Sequence, residues 1–319
     1  MQNRSDKELV AVLLPVYKEC KGEVKRAIDS IYRQSYPNLK LLIILDDPNN
    51  SETNSFVESY SASLNIDCLL IKNEANLGLV GSLNRALKSC RDADYICRLD
   101  ADDYSYPKRI EEQLNYLHNN GLDLIGSQMR VVSADGDPLY FEKRYPCTGG
   151  KTKVVAAYRS PVPHPTWFGK ADVFRDGYRP IPLSEDYDFI IRALLRGFKI
   201  GNSPDILLDY QYNLSGISRN NQYEQMIYTL VLQDMYRSGA VWSVNSIIKK
   251  AQDLSVPCEK DLYLKGCSCL NGFIKNKSFF DFRGLLRSLF VSSLFRKKIL
   301  NVLISMGVFY APNFLFKDN

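Results

Sequence analysis

The chain has 319 residues, 45% of them hydrophobic and 24% charged, with 18 Gly and 14 Pro. That balance excludes collagen-like, low-complexity and disordered classes, and it leaves chain enough for a large core in one or two domains. Eight cysteines include no CxxC pair, and there are only two histidines, His118 and His164, so a zinc site is not expected. The start is polar, with no basic stretch leading into an apolar run and a small-residue cleavage site. The expectation is a cytoplasmic chain with reduced thiols. The net charge of +5 belongs to the tail: residues 271–319 hold eight Lys/Arg against two Asp, and the rest is close to neutral. Arg283, Arg287 and Arg296–Lys298 interrupt that apolar tail. A membrane span is therefore not expected, while a surface-lying amphipathic helix is. Phe282, Leu285, Leu286, Leu289, Phe290 and Ser293 can share one broad face of it; packing on the rest of the chain is the alternative.

In chain order, Leu9–Val16 and Leu41–Leu45 are short apolar runs with the character of buried strands. Between them Val24, Ala27, Ile28, Ile31 and Tyr32 follow helical spacing up to Pro37. Ser51 is placed as the cap of a second helix through Val57, Tyr60 and Leu64. Ile66–Ile71 reads as a strand, Leu83, Ala86 and Leu87 as a helix face, and Tyr95–Leu99 as a strand ending at Asp100. This alternation predicts an α/β fold with a mostly parallel sheet flanked by helices, in which ligands gather at the carboxyl ends of the strands. Those ends carry Pro15–Glu19, Asp46–Asp47 and Asp100–Asp103. Further on, Leu124–Val132 predicts one or two strands and Asp135-Gly136-Asp137 a turn. Residues 142–165 read as a long, partly irregular connection, Asp186–Arg196 as a helix and Leu207–Tyr212 as the last strand. Beyond Asn220 the pattern is helical. The expected division is an α/β unit over 1–219 and a helical extension over 220–319 with the basic tail.

Three acidic clusters carry the chemistry. Asp100, Asp102 and Asp103 stand within four residues just past a buried strand, where they repel unless solvated or bridged by a cation. Mg²⁺ or Mn²⁺ takes a few carboxylates together with phosphate oxygens and water; a capping turn before the helix near Pro107 is the alternative. Asp46–Asp47 can accept hydrogen bonds from a base or ribose, or can simply form a turn with Pro48-Asn49-Asn50. Glu185–Asp186 can supply a general base, although by local chemistry alone helix capping from Ser184 is the better account of such residues. His164, between Pro163 and Pro165, belongs in a loop, beside a polar cleft or in a structural hydrogen bond. Gly78-Leu-Val-Gly81 lacks the GxGxxG spacing, Gly150-Lys151-Thr152 lacks the first glycine of a phosphate loop, and GxSxG and HExxH are absent.

Taken together the stretches resemble the family 2 inverting glycosyltransferases of the GT-A fold. The matching segments are Val12-Leu-Leu-Pro-Val-Tyr-Lys-Glu19, Ala27–Tyr36, Leu42-Ile-Ile-Leu-Asp-Asp47, Asn76–Asn84 and Arg98-Leu-Asp-Ala-Asp-Asp103, with Pro107 and Arg109 behind. His164-Pro-Thr166, Gly177-Tyr-Arg179, Ser184-Glu-Asp-Tyr-Asp-Phe189 and Arg192 continue the order through about residue 218. The resemblance implies that Pro15, Tyr17, Glu19, Asp47 and Asn76 line the nucleotide-sugar pocket. It implies Asp100 near the ribose and phosphates, Asp102 with Asp100 on the metal, and Asp186 as catalytic base. His164 and Glu185 would face the acceptor or support the base.

Lys18 stands where the family usually has Asn, and Pro48-Asn49-Asn50 where Gly-Ser-Thr is frequent. The Gln-x-x-Arg-Trp motif of processive synthases is absent, which favours a single addition. The implied donor is a UDP-sugar, with a dTDP-sugar as the alternative. The implied acceptor is a saccharide, lipid-linked, met at the cytoplasmic face of the inner membrane during O-antigen or capsule assembly. Nucleic acid is not an expected partner, because the positive charge does not line the cleft. A sugar-phosphate nucleotidyltransferase would need a Gly-rich loop near Pro15, and a non-catalytic relative would have no use for both Asp102 and Asp186.

Overall fold

The computed structural model describes residues 7–142, 145–213, 221–276 and 279–316. The expected boundary at 219 falls outside them. The two apolar runs become β1 (Val10–Val16) and β2 (Leu39–Leu45), buried along nearly their whole length because helices cover both faces of the sheet. They are joined by β3 (Asp67–Lys72), β4 (Tyr95–Arg98), β5 (Tyr104–Ser105), β6 (Leu124–Val132), β7 (Pro138–Glu142), β8 (Phe168–Lys170) and β9 (Ile200–Gln211). Among the described residues these form one sheet in the order β3-β2-β1-β4-β8-β6-β9-β5, with β7 on β6. The β3-β2-β1-β4 half is parallel and β6 runs parallel to β9, while β8, β5 and β7 are antiparallel to their neighbours. The sheet is therefore mixed, as expected, and β1, β2 and β4 bring their three acidic ends side by side.

One face of the sheet is covered by α1 (Lys21–Tyr32), α2 (Ser51–Ser63) and α4 (Arg109–Asn119), through Val24, Ile28, Val57, Ile110 and Leu117. The other carries α3 (Gly78–Ser89) and α6 (Glu185–Leu195), through Leu83, Ala86, Phe189 and Ile190 around the buried Trp167. A third apolar cluster lies outside α6, where Ile181, Tyr187 and Ile191 meet the extension: α7 (Gln222–Ser238), α8 (Val244–Leu254), α9 (Pro257–Asn276), α10 (Phe279–Val291) and α11 (Ser293–Tyr310). α6 is thus buried on two sides, which is why eight of its residues are apolar or paired and inaccessible.

Several local expectations change. The connection 142–165 contains a helix, α5 (Gly149–Ala156), started by the Thr148 side chain, which accepts from Lys151 N. The last strand begins at Ile200 rather than Leu207, because Ile200–Asn202 pair in register with Leu124–Gly126 despite their polar sequence. Asn50, not Ser51, caps α2. The tail face is split. Leu285 and Leu289 pack inward on the third cluster, Ser293 belongs to α11, and Phe282, Leu286 and Phe290 point outward. α11 also rests on α5, where Lys151 Nζ donates to the Phe309 carbonyl (3.0 Å). All eight cysteines are free.

Candidate active site

β1 ends at Pro15–Val16 and its chain turns back through Tyr17 and Glu19. Glu19 closes that turn by accepting from the Tyr17 backbone N–H (2.6 Å). Burial pushes the Glu19 carboxyl up, with Asp100 adding to it across the cleft. At the end of β2 the two aspartates divide. Asp46 is buried and accepts from Asn73 Nδ2 (2.7 Å) and Leu77 N (2.8 Å), so it ties β2 to the start of α3. Asp47 is half-exposed and its carboxylate accepts from Asn49 N (3.0 Å), a local turn bond that leaves its outer face open. Asn76 is exposed, and its side-chain oxygen accepts from Gly78 N (2.8 Å). It starts α3, and no contact links it to the acidic cluster.

β4 decides the centre of the cleft. Side chains alternate along it, so Tyr95, Cys97 and Leu99 enter the first cluster, while Ile96 and Arg98 face α6. Arg98 is 3% exposed, pairs with Asp100 (2.5 Å), and leaves Nε and Nη1 buried without a partner. Asp102, next along the loop, forms no ion pair among the described residues. Its carboxyl is pushed up to about 7 by burial and then by Asp100 and Glu19. Asp103 is fully buried and accepts from Gln211 N (2.9 Å), with its proton affinity raised well above the ordinary range by the same burial and neighbours. Negative charge is therefore in excess at Glu19, Asp100 and Asp102.

The other wall is the first turn of α6. Glu185 is pushed up to about 7 by burial and by Asp186. Burial raises Asp186 as well, while its bond from Tyr187 N (2.7 Å) and the Arg98 charge oppose the rise. Arg98 and Asp100 both act on the ionisation of Glu185, so the strand-end carboxylates and those of α6 lie near enough to interact electrostatically. His164 sits in a 3₁₀ turn, His164–Thr166, with Nε2 2.9 Å from the Tyr178 hydroxyl and its ring edge-on to Trp167. Burial and Arg98 hold its pKa well below the usual value, which keeps the imidazole neutral.

Sequence reasoning gave no role to the residues that hold these walls. Arg109 is fully buried and its Nη2 donates to the carbonyls of Arg98 (2.8 Å) and Pro165 (3.1 Å), clamping β4 to the His164 turn. Asn84 bonds Tyr178 in both directions (2.7 and 2.9 Å). Asp188, fully buried, pairs with Arg179 and with Arg192 (Nε, 2.9 Å) and anchors α6 beneath its carboxylates. The signal available was a basic residue near each acidic motif, but only the fold pairs them.

Among the described residues no group of three or more His, Cys, Asp or Glu is arranged to hold a metal ion by protein ligands alone. The acidic cluster fits a different kind of site, in which one or two carboxylates share a cation with phosphate oxygens and water.

Residues 11–177 match the Glycosyl transferase family 2 profile. The chain belongs to this family. It is 32% identical over 217 residues to an uncharacterised glycosyltransferase of Methanocaldococcus jannaschii, covering 66% of this chain and 73% of the relative. The O-antigen biosynthesis glycosyltransferase WbnJ of Escherichia coli is 29% identical, with 64% and 80% covered. The E. coli UDP-Gal:alpha-D-GlcNAc-diphosphoundecaprenol beta-1,3-galactosyltransferase is 28% identical, with 72% and 84% covered. Among solved structures, S. aureus TarS 1-349 in complex with UDP-GlcNAc superposes with a TM-score of 0.57 at 14% identity, over 94% of this chain and 90% of that one. The mannosyltransferase PcManGT of Pyrobaculum calidifontis, in complex with GDP-Man and Mn²⁺, gives 0.59 at 15% identity, over 96% and 88%. The fold is the GT-A type, and the protein is a glycosyltransferase. Among the described residues no helix is long and apolar enough to cross a membrane.

Proposed function

We propose that this glycosyltransferase moves one hexose or N-acetylhexosamine from a UDP-sugar to a hydroxyl of a saccharide acceptor, with inversion. The observation that carries the reading is the gathering of carboxylates: Glu19, Asp100 and Asp102 at the strand ends, where Arg98 pairs with Asp100, and the raised carboxylates of α6 within electrostatic reach of them. Pro15, Tyr17, Glu19 and Asp47 line the nucleoside end, and Asn76 sits at its rim. Asp102, with Asp100 beside it, would hold a divalent cation, Mn²⁺ or Mg²⁺. Bound there with the donor diphosphate, the cation would offset the charge that develops on the leaving nucleoside diphosphate. The Mn²⁺ in the mannosyltransferase neighbour supports this use of the fold.

Asp186 accepts the proton of the acceptor hydroxyl as its oxygen attacks the anomeric carbon from the face opposite the diphosphate. A carboxyl raised by burial is a stronger base, and the Tyr187 N–H bond and the Arg98 charge oppose the rise. One displacement then turns an α-linked donor into a β-linkage without a covalent intermediate. Neutral His164 and Glu185 position the acceptor side. UDP is favoured because a relative is named for UDP-Gal and the TarS structure carries UDP-GlcNAc.

The two E. coli relatives, one named for O-antigen biosynthesis and one for a diphosphoundecaprenol-linked acceptor, support a place in surface polysaccharide assembly with a lipid-linked acceptor. On α10, Phe282, Leu286 and Phe290 recur every four residues on the outside, with Arg283 and Arg287 exposed beside them. α11 exposes Arg296, Lys297, Leu300 and Leu303. Apolar side chains interleaved with cations suit the surface of an anionic bilayer.

Thermal unfolding with UDP, GDP, dTDP and CMP, each with and without Mn²⁺, tests the donor reading. A ligand at 100 times its Kd adds about 2.7 kcal/mol, so a Mn²⁺-dependent shift with UDP is expected. A shift with dTDP alone would replace the donor, and no shift with any nucleotide would overturn the reading. Asp186→Asn should keep the UDP shift and lower turnover about 100-fold or more; undiminished turnover would remove Asp186 from its role.

A further inference from the structure

The one non-glycine residue with positive φ among the described residues is Leu183, at φ +60°. It lies two residues before Glu185, where the chain turns into α6. L side chains rarely adopt this region, and such residues persist where the surroundings over-determine them. Packing does not hold Leu183: it is half-exposed and belongs to none of the three apolar clusters. Its backbone carbonyl, however, accepts a hydrogen bond from Gln225 Nε2 (3.1 Å), on the first turn of α7. A second tie comes from the same layer, since Arg179 Nη1 donates to the Trp242 carbonyl (2.6 Å) while its other nitrogens hold Asp188 on α6. Ser184, which caps α6, makes no side-chain capping bond. The entry to the helix is thus held locally by the turn bond from Ser184 N to the Ile181 carbonyl (3.4 Å) and, from outside, by the extension.

We propose that Gln225 is a positioning residue for the transfer step: through the left-handed turn at Leu183 it sets where the first turn of α6 presents Asp186. This rests on the reading of Asp186 as the base. If Leu183 relaxed to negative φ, the peptide leading into Ser184 would rotate and the start of α6 would move. Displacement of a reacting group by about 1 Å lowers rates by up to roughly 100-fold. Nucleotide binding, built on the ends of β1, β2 and β4, would be untouched.

Gln225→Met keeps the length of the side chain and removes the donor. The expected result is a kcat about tenfold lower, with donor KM and the UDP-induced melting shift unchanged. In an Asp186→Asn background the same change should add no further loss, because the group it positions is gone. Leu183→Gly, which takes φ +60° without strain, should restore most of the kcat lost in Gln225→Met. A purely structural bond would lower melting temperature without this rescue. Wild-type kcat in Gln225→Met, or a loss that Leu183→Gly leaves in place, overturns the proposal. If Gln225→Met does not fold alone, the double variant carries the test, with near-wild-type kcat expected and a tenfold deficit overturning it. Full turnover by Asp186→Asn would instead sink the base reading, so the two failures are separate.

Discussion

The two walls of the cleft are built in opposite ways. On the proposed donor wall each carboxylate follows directly from its own strand: β1 leads into Glu19, β2 into Asp47, β4 into Asp100 and Asp102. Parallel pairing of β2, β1 and β4 then places the three ends side by side. On the base wall nothing local suffices. α6 is anchored by Asp188 to Arg179 and Arg192, its entry is bonded by Gln225, and its outer face is buried by the extension. A wall made by strand ends tolerates change far away in the chain. A wall made by one helix turn depends on every element that holds the helix.

That contrast can be broken. Asp188→Asn removes half of a buried charge network and leaves Arg179 and Arg192 without their carboxylate. Loss of one partner from a buried pair costs about 3–5 kcal/mol, and the fall should show in denaturant midpoints. The UDP shift should survive wherever the variant stays folded. A variant of unchanged stability would mean that α6 is held by packing alone. On the other wall, Asp102→Asn should lower turnover about 100- to 1,000-fold, the size seen when a group that stabilises developing charge is lost. Its melting temperature should hardly fall, and its UDP shift should no longer respond to Mn²⁺. A response that persists would move the cation elsewhere.

Glu185 gives a sign that can be checked by pH. Its carboxyl is pushed above the ordinary 4.5 to about 7, so the stability it contributes is complete below the unfolded value and lost as pH rises through about 7. Glu185→Gln should remove that loss. The variant gains on the wild type between pH 4 and 8 by up to about 3 kcal/mol, read from denaturant midpoints at the two pH values. Parallel profiles would show that Glu185 ionises normally. The smallest effect is expected at the edge of the molecule. Phe290→Asp should weaken binding to anionic vesicles about tenfold and leave stability within about 0.5 kcal/mol, since the side chain is 82% exposed. Deleting the tail is a poor substitute, because Leu294 and Phe295 are core residues of the extension. Unchanged vesicle binding would remove the membrane role of α10.

Legibility followed the same division. The periodicities of β1, α1, β2 and α3 were plain, because elements buried against one sheet repeat at a fixed spacing. α5 was read as irregular because Gly149 and Gly150 open it and its cap, Thr148, is an inconspicuous signal. The start of β9 was missed because Gly201, Asn202 and Ser203 are buried as polar or small residues paired to β6, which alternation cannot reveal. Glu185 and Asp186 look locally like helix-capping carboxylates; only the fold brings Glu185 within electrostatic reach of Arg98 and Asp100, and Asp186 within that of Arg98.

By itself the sequence determined the parallel α/β core, the three acidic strand ends and the family, because apolar spacing and the order of short motifs are written along the chain. Tertiary structure alone decided which carboxylates are paired and which are left in excess. Asp46 turned inward while Asp47 stayed open, Asp100 found Arg98 while Asp102 found no cation, and the base wall was tied to helices more than thirty residues away. The physical reason is that charge and burial are properties of neighbours in space. Two adjacent aspartates differ only in what the fold puts against them.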